Sequence, residues 1–300
     1  MTSNRFLAYT GHLNLDVVLR VNEINDNVTL PVSEVTESFG GTAGNFVTVA
    51  QELGLDFRLY SIVSSNSHGS YIDRLRQLNV DLAGVRIVKS GYGPVCYAVN
   101  DGRRQKYFLA EGPMKTDHYA ILDEHYSYLH LGTGNPYLNV EMIEKANYSK
   151  SAFDPSQEVF FKYSKEDLSY FLENCNYIMG NEDEIDFIFK NTNVEINSYV
   201  GEKHMVIKTR GSQGADVYAK KHVHVFPFAE INEGGDTLGA GDSFRAGFYL
   251  GLRNGMSAED AVKCGNVVSY DVVKTGVDEF KISAEDVLSM AKKLKTEFIA

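Results

Sequence analysis

Short apolar runs alternate with helical stretches along most of the chain, and this alternation limits the possible folds more than any other feature of the sequence. Buried strands are predicted from the apolar runs at 128–132, 151–154, 177–180 and 205–209. Helix starts are indicated by serines that stand three residues before an acidic residue, namely Ser164, Ser257 and Ser283. The pattern predicts an α/β fold, in which a mostly parallel sheet carries helices on both faces.

Two strand-rich segments interrupt this alternation. The first covers about 12–38 and predicts strands at 13–21 and 28–39, separated by a turn at 25–27. The second covers about 91–110, where Asp101-Gly102 indicates a hairpin turn. We expect these two segments to form a small β-sheet lid. The α/β core would then consist of residues 1–11, 39–90 and 111–300.

A glycine-rich stretch at residues 234–244 is the most informative part of the sequence for function. It reads Gly-Gly-Asp-Thr-Leu-Gly-Ala-Gly-Asp-Ser-Phe and precedes a helical segment that runs to about Arg253. Gly239, Ala240 and Gly241 therefore lie at or near a helix N-terminus. Unpaired N–H groups and the positive end of the helix dipole favour an anion there, and the glycines let a ligand approach the backbone.

Asp242 would lie in the first turn of that helix, next to the anion. A carboxylate at this position can accept a proton from an attacking hydroxyl group, while the amides stabilise charge on a phosphoryl group. The alternative interpretation is that Asp242 complements the helix dipole and that the glycines only form a tight turn. The sequence contains no Gly-x-x-x-x-Gly-Lys-[Ser/Thr] motif, so a P-loop mechanism is unsupported.

Charge and composition argue against several classes of partner. Acidic residues exceed basic ones by 40 to 29, and the resulting net charge of −11 argues against nucleic acid as a ligand. We expect no membrane span, because no run of roughly 18 to 20 apolar residues and no secretory leader is apparent. The three cysteines are far apart and fit a reducing compartment. We therefore expect a cytoplasmic protein.

The glycine-rich stretch resembles the C-terminal signature of the ribokinase (PfkB) family, Asp-Thr-x-Gly-Ala-Gly-Asp, at residues 236–242. Four shorter stretches resemble further elements of that family in the right order: 11–16, 38–45, 181–184 and 209–214. The resemblance covers essentially the full chain. It implies a ribokinase-like fold and an ATP-dependent kinase that transfers the γ-phosphoryl group to a hydroxymethyl group.

The resemblance also implies roles for single residues. Asp242 is the general base, and the anion hole is formed by Gly239, Ala240 and Gly241. The acceptor is bound by Asn14, Asp16, Gly40, Gly41, Asn45 and Phe108. ATP is bound by Asn181, Thr209, Gly211, Gly214, Asn266 and Ser269, although the last two are about as well explained by surface or packing roles. Glu184 helps to hold Mg²⁺ through water, and with Asn181 it also matches a capping box.

The choice of acceptor rests on residues 105–114, which look similar to broad-specificity prokaryotic nucleoside kinases of the family. Our leading hypothesis is phosphorylation of a nucleoside 5′-hydroxyl. Four aromatic side chains could stack on the nucleobase or instead fill the lid's own core. They belong to Phe39, Tyr97, Tyr107 and Phe108. The alternative is a sugar kinase acting on ribose, fructose, a ketodeoxysugar or inositol. A non-catalytic small-molecule sensor is a further reading, against which the retention of Asp242 argues.

Exposed lid edges suggest a homodimer through the lid.

Overall fold

Fourteen strands and ten α-helices are present in the computed structural model, which describes residues 3–25, 28–229 and 237–299. The strands are β1 (Ser3–Thr10), β2 (Asn14–Val21), β3 (Val32–Gly40), β4 (Phe57–Ser64), β5 (Val85–Val88), β6 (Val95–Asn100), β7 (Gln105–Ala110), β8 (Glu124–Leu131), β9 (Asn147–Phe153), β10 (Tyr177–Asn181), β11 (Met205–Thr209), β12 (Ala215–Tyr218), β13 (Val223–Val225) and β14 (Thr296–Phe298). The helices are α1 (Thr42–Glu52), α2 (Gly69–Gln77), α3 (Pro136–Lys145), α4 (Val159–Lys162), α5 (Lys165–Asn174), α6 (Glu182–Thr192), α7 (Ile196–Tyr199), α8 (Ala240–Arg253), α9 (Ala258–Thr275) and α10 (Ala284–Ala291).

The larger sheet has ten strands in the order β14-β13-β12-β11-β10-β9-β8-β1-β4-β5. Every pairing from β11 to β5 is parallel, and β12, β13 and β14 add an antiparallel edge. The prediction of a mostly parallel sheet is therefore confirmed. Parallel strands bring their carboxyl ends to one edge of the sheet, which is where open α/β sheets bind ligands.

Helices cover both faces of this sheet because successive side chains of a strand point to opposite sides. In β1, Leu7 and Tyr9 belong to one buried cluster and Ala8 belongs to the other. The first cluster packs α1, α2, α8, α9 and α10 against the sheet, and the second packs α3, α4, α5 and α6. No helix among the described residues is both long and apolar enough to cross a membrane.

The three predicted serine caps begin helices as expected. Ser164 accepts a hydrogen bond from the Asp167 N–H at 3.1 Å, and the Asp167 carboxylate accepts one from the Ser164 N–H at 2.9 Å. Ser257 and Ser283 accept the corresponding N–H groups at the starts of α9 and α10. A cap of this kind typically stabilises a helix by about 1 kcal/mol.

The smaller sheet forms the lid and has the strand order β3-β2-β6-β7. The β6–β7 hairpin turns where predicted, because Asp101 Oδ1 accepts hydrogen bonds from the N–H groups of Arg103 and Arg104. The sequence predicts a strand from Val28, but β3 begins at Val32, after Pro31, which has no N–H group to donate to a neighbouring strand. The predicted turn at 25–27 lies partly outside the described residues. The division into two domains stays a prediction.

Candidate active site

A cavity of about 1110 Å³ lies between the lid and the carboxyl ends of the core strands. The lid lines it with alternate residues of β2, namely Asn14, Asp16 and Val18, so the first two share one face as predicted. The core lines it with residues at or just beyond the ends of β9, β10 and β11, namely Asp154, Asn181 and Thr209. The candidate site therefore lies at the ligand-binding edge of the sheet.

The N-terminus of α8 forms part of the cavity wall through Gly239 and Gly241. Gly239 is left-handed at φ 73°, and a Cβ atom there would lie 2.5 Å from a methyl group of Val277. The first N–H groups of a helix have no partner within the helix and can bind an anion. The Ala240 N–H donates to the Thr237 carbonyl at 3.2 Å, and Ala240 does not line the cavity, so its part in the anion hole stays a prediction. The predicted Asp236 and the two glycines before it lie outside the described residues.

Asp242 lines the same cavity and is only 7% exposed. Its Oδ2 atom accepts a hydrogen bond from Asn45 Nδ2 at 2.8 Å, and its Oδ1 atom accepts one from Arg245 Nη1. Burial raises the pKa of Asp242 to about 6, although the Arg245 charge and the Asn45 hydrogen bond lower it. At neutral pH the carboxyl group is therefore mostly ionised and able to accept a proton.

Asp16 faces Asp242 from the lid, and Gly40 makes room for its carboxylate. A Cβ atom on Gly40 would lie 2.0 Å from Asp16 Oδ2. Gly41 has φ 82°, and a Cβ atom there would lie 2.4 Å from the His12 carbonyl oxygen. Burial, assisted by the negative charge of Asp242, raises the pKa of Asp16 to about 6. Gly40 thus lets the lid carboxylate approach the backbone before α1, and Gly41 lets the chain pass close to the His12 carbonyl.

Asn181 and Glu184 form the predicted capping box at the start of α6, with both hydrogen bonds at 2.9 Å. Both residues also line the cavity, so the capping role and a ligand role are compatible. Burial, followed by the nearby charge of Asp154, raises the pKa of Glu184 to about 7. Oxygen ligands of this kind suit Mg²⁺, which keeps several of its waters, and the residues present therefore fit the ion.

The predicted nucleotide loop is only partly at the cavity. Thr209 lines it and donates a hydrogen bond to the Gly180 carbonyl at 3.3 Å. Gly211 and Gly214 shape the turn that follows, with φ of 53° and 92°, and neither lines the cavity. A Cβ atom on Gly214 would lie 2.2 Å from the Val225 carbonyl oxygen, so this glycine is required for the approach of β13. Arg210 is paired with Asp216 and Glu182.

Asn266 and Ser269 do not line the cavity, and contact of these two residues with adenine stays a prediction. The Asn266 amide donates to the carbonyl oxygens of Val225 and Phe226 at 3.3 and 3.0 Å, and it ties α9 to the end of β13. The Ser269 hydroxyl donates to the Asn266 carbonyl within α9. Their hydrogen-bonding groups are therefore used in packing.

Phe108 does not line the cavity either, and its contact with the acceptor stays a prediction. The cavity is lined by Gln105, Tyr107 and Leu109 of β7, so Phe108 points to the opposite face of the lid, where it is 55% exposed. The physical reason is the two-residue period of a strand, which places neighbours on opposite faces. The aromatic ring that β7 offers to the cavity is Tyr107.

Comparison with known proteins decides the family. The family model described as "pfkB family carbohydrate kinase" matches residues 4–279. The chain belongs to this family. Among pfkB proteins, it is 37% identical over 282 residues to a nucleoside kinase of Thermoplasma acidophilum, with 94% of each chain covered. It is 29% identical to a nucleoside kinase of Methanocaldococcus jannaschii, with 86% of each covered.

A solved pfkB-type structure shows the same fold. The crystal structure of a putative ribokinase from Thermoplasma acidophilum superimposes with a TM-score of 0.86 at 35% identity, and 97% of this chain and 98% of that one are covered. The protein is therefore a kinase, a phosphotransferase with an alcohol group as acceptor, and its acceptor is a nucleoside or a sugar.

Several cavity residues of this pfkB kinase were missed from the sequence. Arg245 and Asp154 are buried and face Asp242, and His12 and Glu158 are buried beside them in the cavity wall. Burial lowers the pKa of His12 to about 3, so its ring is neutral. Asp154 is the last residue of the predicted strand 151–154, at the edge of the sheet where ligands bind, and this position could have indicated a site residue. Arg245 stands one helical turn after Asp242, a spacing that places both on one face.

Proposed function

We propose that this kinase uses ATP and Mg²⁺ to phosphorylate the 5′-hydroxyl group of a nucleoside, with Asp242 as the general base. The observation that carries the proposal is the placement of a buried carboxylate, held by hydrogen bonds at both oxygens, beside the helix N-terminus at Gly239 and Gly241. Membership of the family implies ATP as the phosphate donor.

In the proposed reaction, the 5′-hydroxyl of the acceptor donates a hydrogen bond to Asp242. Its oxygen forms a bond to the γ-phosphorus while the bond from that phosphorus to the β–γ bridging oxygen breaks, and the hydroxyl proton passes to Asp242. The N–H groups at Gly239 and Gly241 stabilise negative charge on the phosphoryl oxygens. A Mg²⁺ ion held through water by Glu184 would neutralise charge on the phosphates.

The acceptor would bind on the lid side of the cavity. Asn14 and Asp16 offer an amide and a carboxylate to the ribose hydroxyls, and Gly40 and Gly41 keep the backbone close to them. Thr209 and Asn181 would contact ATP on the core side. Asn45 also lines the cavity, where it holds Asp242 and would contact the acceptor.

A nucleoside is favoured over a small sugar by apolar side chains at the cavity. Tyr107 and Leu109 line it from the lid, and Phe161 lines it from α4. These side chains are 65%, 37% and 67% exposed, so their surfaces are open to a ligand. A planar base can be stacked or covered by such groups, whereas a small polyol has no apolar part to bury.

The test is an assay of ADP release across a panel of nucleosides and of ribose, fructose, ketodeoxysugars and inositol. We expect release that depends on Mg²⁺ and on a nucleoside, and mass spectrometry should identify the product as a 5′-monophosphate. If only sugars stimulate the release of ADP, the acceptor is a sugar and not a nucleoside. No stimulation by any acceptor would contradict the proposed reaction.

We also propose a homodimer formed through the lid. The face of the lid that points away from the cavity is largely apolar, with Val17, Leu19, Val35, Tyr97, Val99 and Phe108 side by side according to the strand register, and it also carries Glu37 and Lys106. Val35 is 58% exposed and Phe108 is 55% exposed. A second copy of the lid would cover this face with a surface of the same chemistry.

A further inference from the structure

Arg245 is a buried cation with two carboxylate partners. It is 6% exposed, and its three nitrogen atoms each donate a hydrogen bond. Nε and Nη2 donate to the two oxygens of Asp154, the second at 2.6 Å, and Nη1 donates to Oδ1 of Asp242. Burial opposes its charge, yet the carboxylates raise the pKa of Arg245 well above its ordinary value. The guanidinium is therefore charged, and each of its three nitrogens has a carboxylate partner.

Asp154 connects this cation to the sheet. It follows the last residue of β9, it is 3% exposed, and its N–H donates to the Leu131 carbonyl of β8 at 2.9 Å. A guanidinium held at two oxygens of a carboxylate has a fixed plane. The remaining nitrogen, Nη1, is thereby aimed at Asp242 from a rigid part of the fold.

The charges around Asp242 are mostly negative. Arg245 is the cation beside it, and Asp154 shares that cation. The other ionisable groups that face Asp242 come from β1, β2, α2 and α6, and they are Tyr9, Asp16, Tyr71 and Glu184. Asp242 and Asp154 together carry two negative charges against the one positive charge of Arg245. Incoming ATP adds further negative charge at the same place.

We propose that Arg245 is a positioning residue for the proposed base: it joins Asp242 to Asp154 and keeps the Asp242 carboxyl group ionised and correctly turned while ATP is bound. This role rests on the proposed function of Asp242. Without the guanidinium, the phosphates of ATP and the carboxylates of Asp16 and Asp154 would favour the protonated form of Asp242, which cannot accept a proton. Asn45 fixes the second oxygen but brings no charge.

The test compares the pH dependence of kcat/KM in variants that should move it in opposite directions. In the wild-type enzyme we expect kcat/KM to fall as the pH drops through about 6, because Asp242 is protonated below its pKa. Arg245→Gln removes the positive charge, so the acid limb of the profile, where kcat/KM falls at low pH, should move to a pH that is higher by about 1 to 2 units. Asp154→Asn removes a negative charge, so the limb should move downward by about 1 unit.

Arg245→Lys is the matched control that keeps the charge and loses the two-point contact with Asp154. Its acid limb should stay near that of the wild type while kcat falls, because orientation alone is impaired. A shift of the limb in the same direction in Arg245→Gln and Asp154→Asn, or no shift in either, would overturn the proposal and leave Arg245 with a packing role.

A second measurement does not depend on turnover. The carboxyl carbon of Asp242 can be titrated by NMR in protein labelled with ¹³C-aspartate, with Asp242→Asn used to assign the signal. We expect the pKa of Asp242 to rise in Arg245→Gln and to fall in Asp154→Asn, both with and without a non-hydrolysable ATP analogue. If no acceptor stimulates the wild-type enzyme, the proposed function fails while this titration still decides the role of Arg245. If Arg245→Gln does not fold, the downward shift in Asp154→Asn decides it, and an unchanged titration there would overturn the proposal.

Discussion

The carboxyl group of Asp242 has both oxygens occupied by hydrogen bonds from the protein, one from Asn45 and one from Arg245. Its direction is therefore fixed before any substrate arrives. A general base gains from such restraint, because proton transfer requires a short and aligned contact with the acceptor hydroxyl. Burial also holds the pKa of Asp242 at about 6, which is close to the pH at which a cellular base must work.

Asp242→Asn is expected to lower kcat by about 10²- to 10⁴-fold, because the amide cannot accept the hydroxyl proton. ATP binding, measured by calorimetry, should be nearly unchanged, since the N–H groups at Gly239 and Gly241 are retained. Asp123→Asn is the control, because Asp123 is an exposed loop carboxylate and its loss changes the charge equally. Near-normal turnover in Asp242→Asn would remove Asp242 from the reaction.

At the scale of elements, the pairing of β2 with β3 places Asp16 against a glycine. The antiparallel register sets Asp16 opposite Ser38, and Gly40 lies beside the Asp16 carboxylate at the end of β3. Tyr71 of α2 donates a hydrogen bond to the Gly40 carbonyl at 2.6 Å and holds this end of the strand. Strand pairing, and not the local sequence of either strand, therefore sets the position of the lid carboxylate.

Gly40→Ala should raise the KM for the acceptor by about tenfold or more, a loss of roughly 1.4 kcal/mol, because the new methyl group displaces the Asp16 carboxylate. The KM for ATP and the melting temperature should change little, since a flexible side chain can give way. Gly69→Ala at the start of α2 is the matched control, because no atom lies within 4 Å of an added Cβ. Equal effects of the two substitutions on the acceptor KM would contradict this role of Gly40.

At the scale of the whole molecule, the lid has one face on the cavity and one largely apolar face that the chain itself leaves partly exposed. Val35 and Phe108 lie on this outer face. A stable interface needs about 800 Å² from each partner, and the outer face of a four-stranded sheet together with its edges can supply such an area. Dimerisation would also support the lid, whose contact with the core is interrupted by the cavity.

Light scattering should give twice the mass of the chain at micromolar concentration. Phe108→Glu places a charge in the apolar face and should shift the protein to monomer, because an unpaired charge is costly to bury. Phe160→Glu is the control, because Phe160 is another exposed phenylalanine but belongs to the core helix α4. A monomeric wild-type protein, or a dimer that survives Phe108→Glu, would contradict dimerisation through this face.

Local patterns were enough to predict the class of fold and the helix start in the central motif. The alternation of apolar runs and capped helices predicted the mostly parallel sheet, and the serine caps began helices where they were expected. The glycine-rich stretch predicted a helix start with Asp242 in its first turn, which the structure contains. These features could be predicted from the sequence because strand periods, caps and helix starts depend on residues that are close in the sequence.

Only the tertiary structure decided which residues meet at the site. Asn45 and Asp242 are 197 residues apart, and Asp154 and Arg245 are 91 residues apart, yet both pairs are hydrogen-bonded. The face on which Phe108 lies depends on the register of β7 against β6, and a shift of one residue would exchange it with Tyr107. Sheet register and long-range ion pairs follow from the packing of the whole chain. A local sequence pattern contains no information about the spatial distance between residues that are far apart in the sequence.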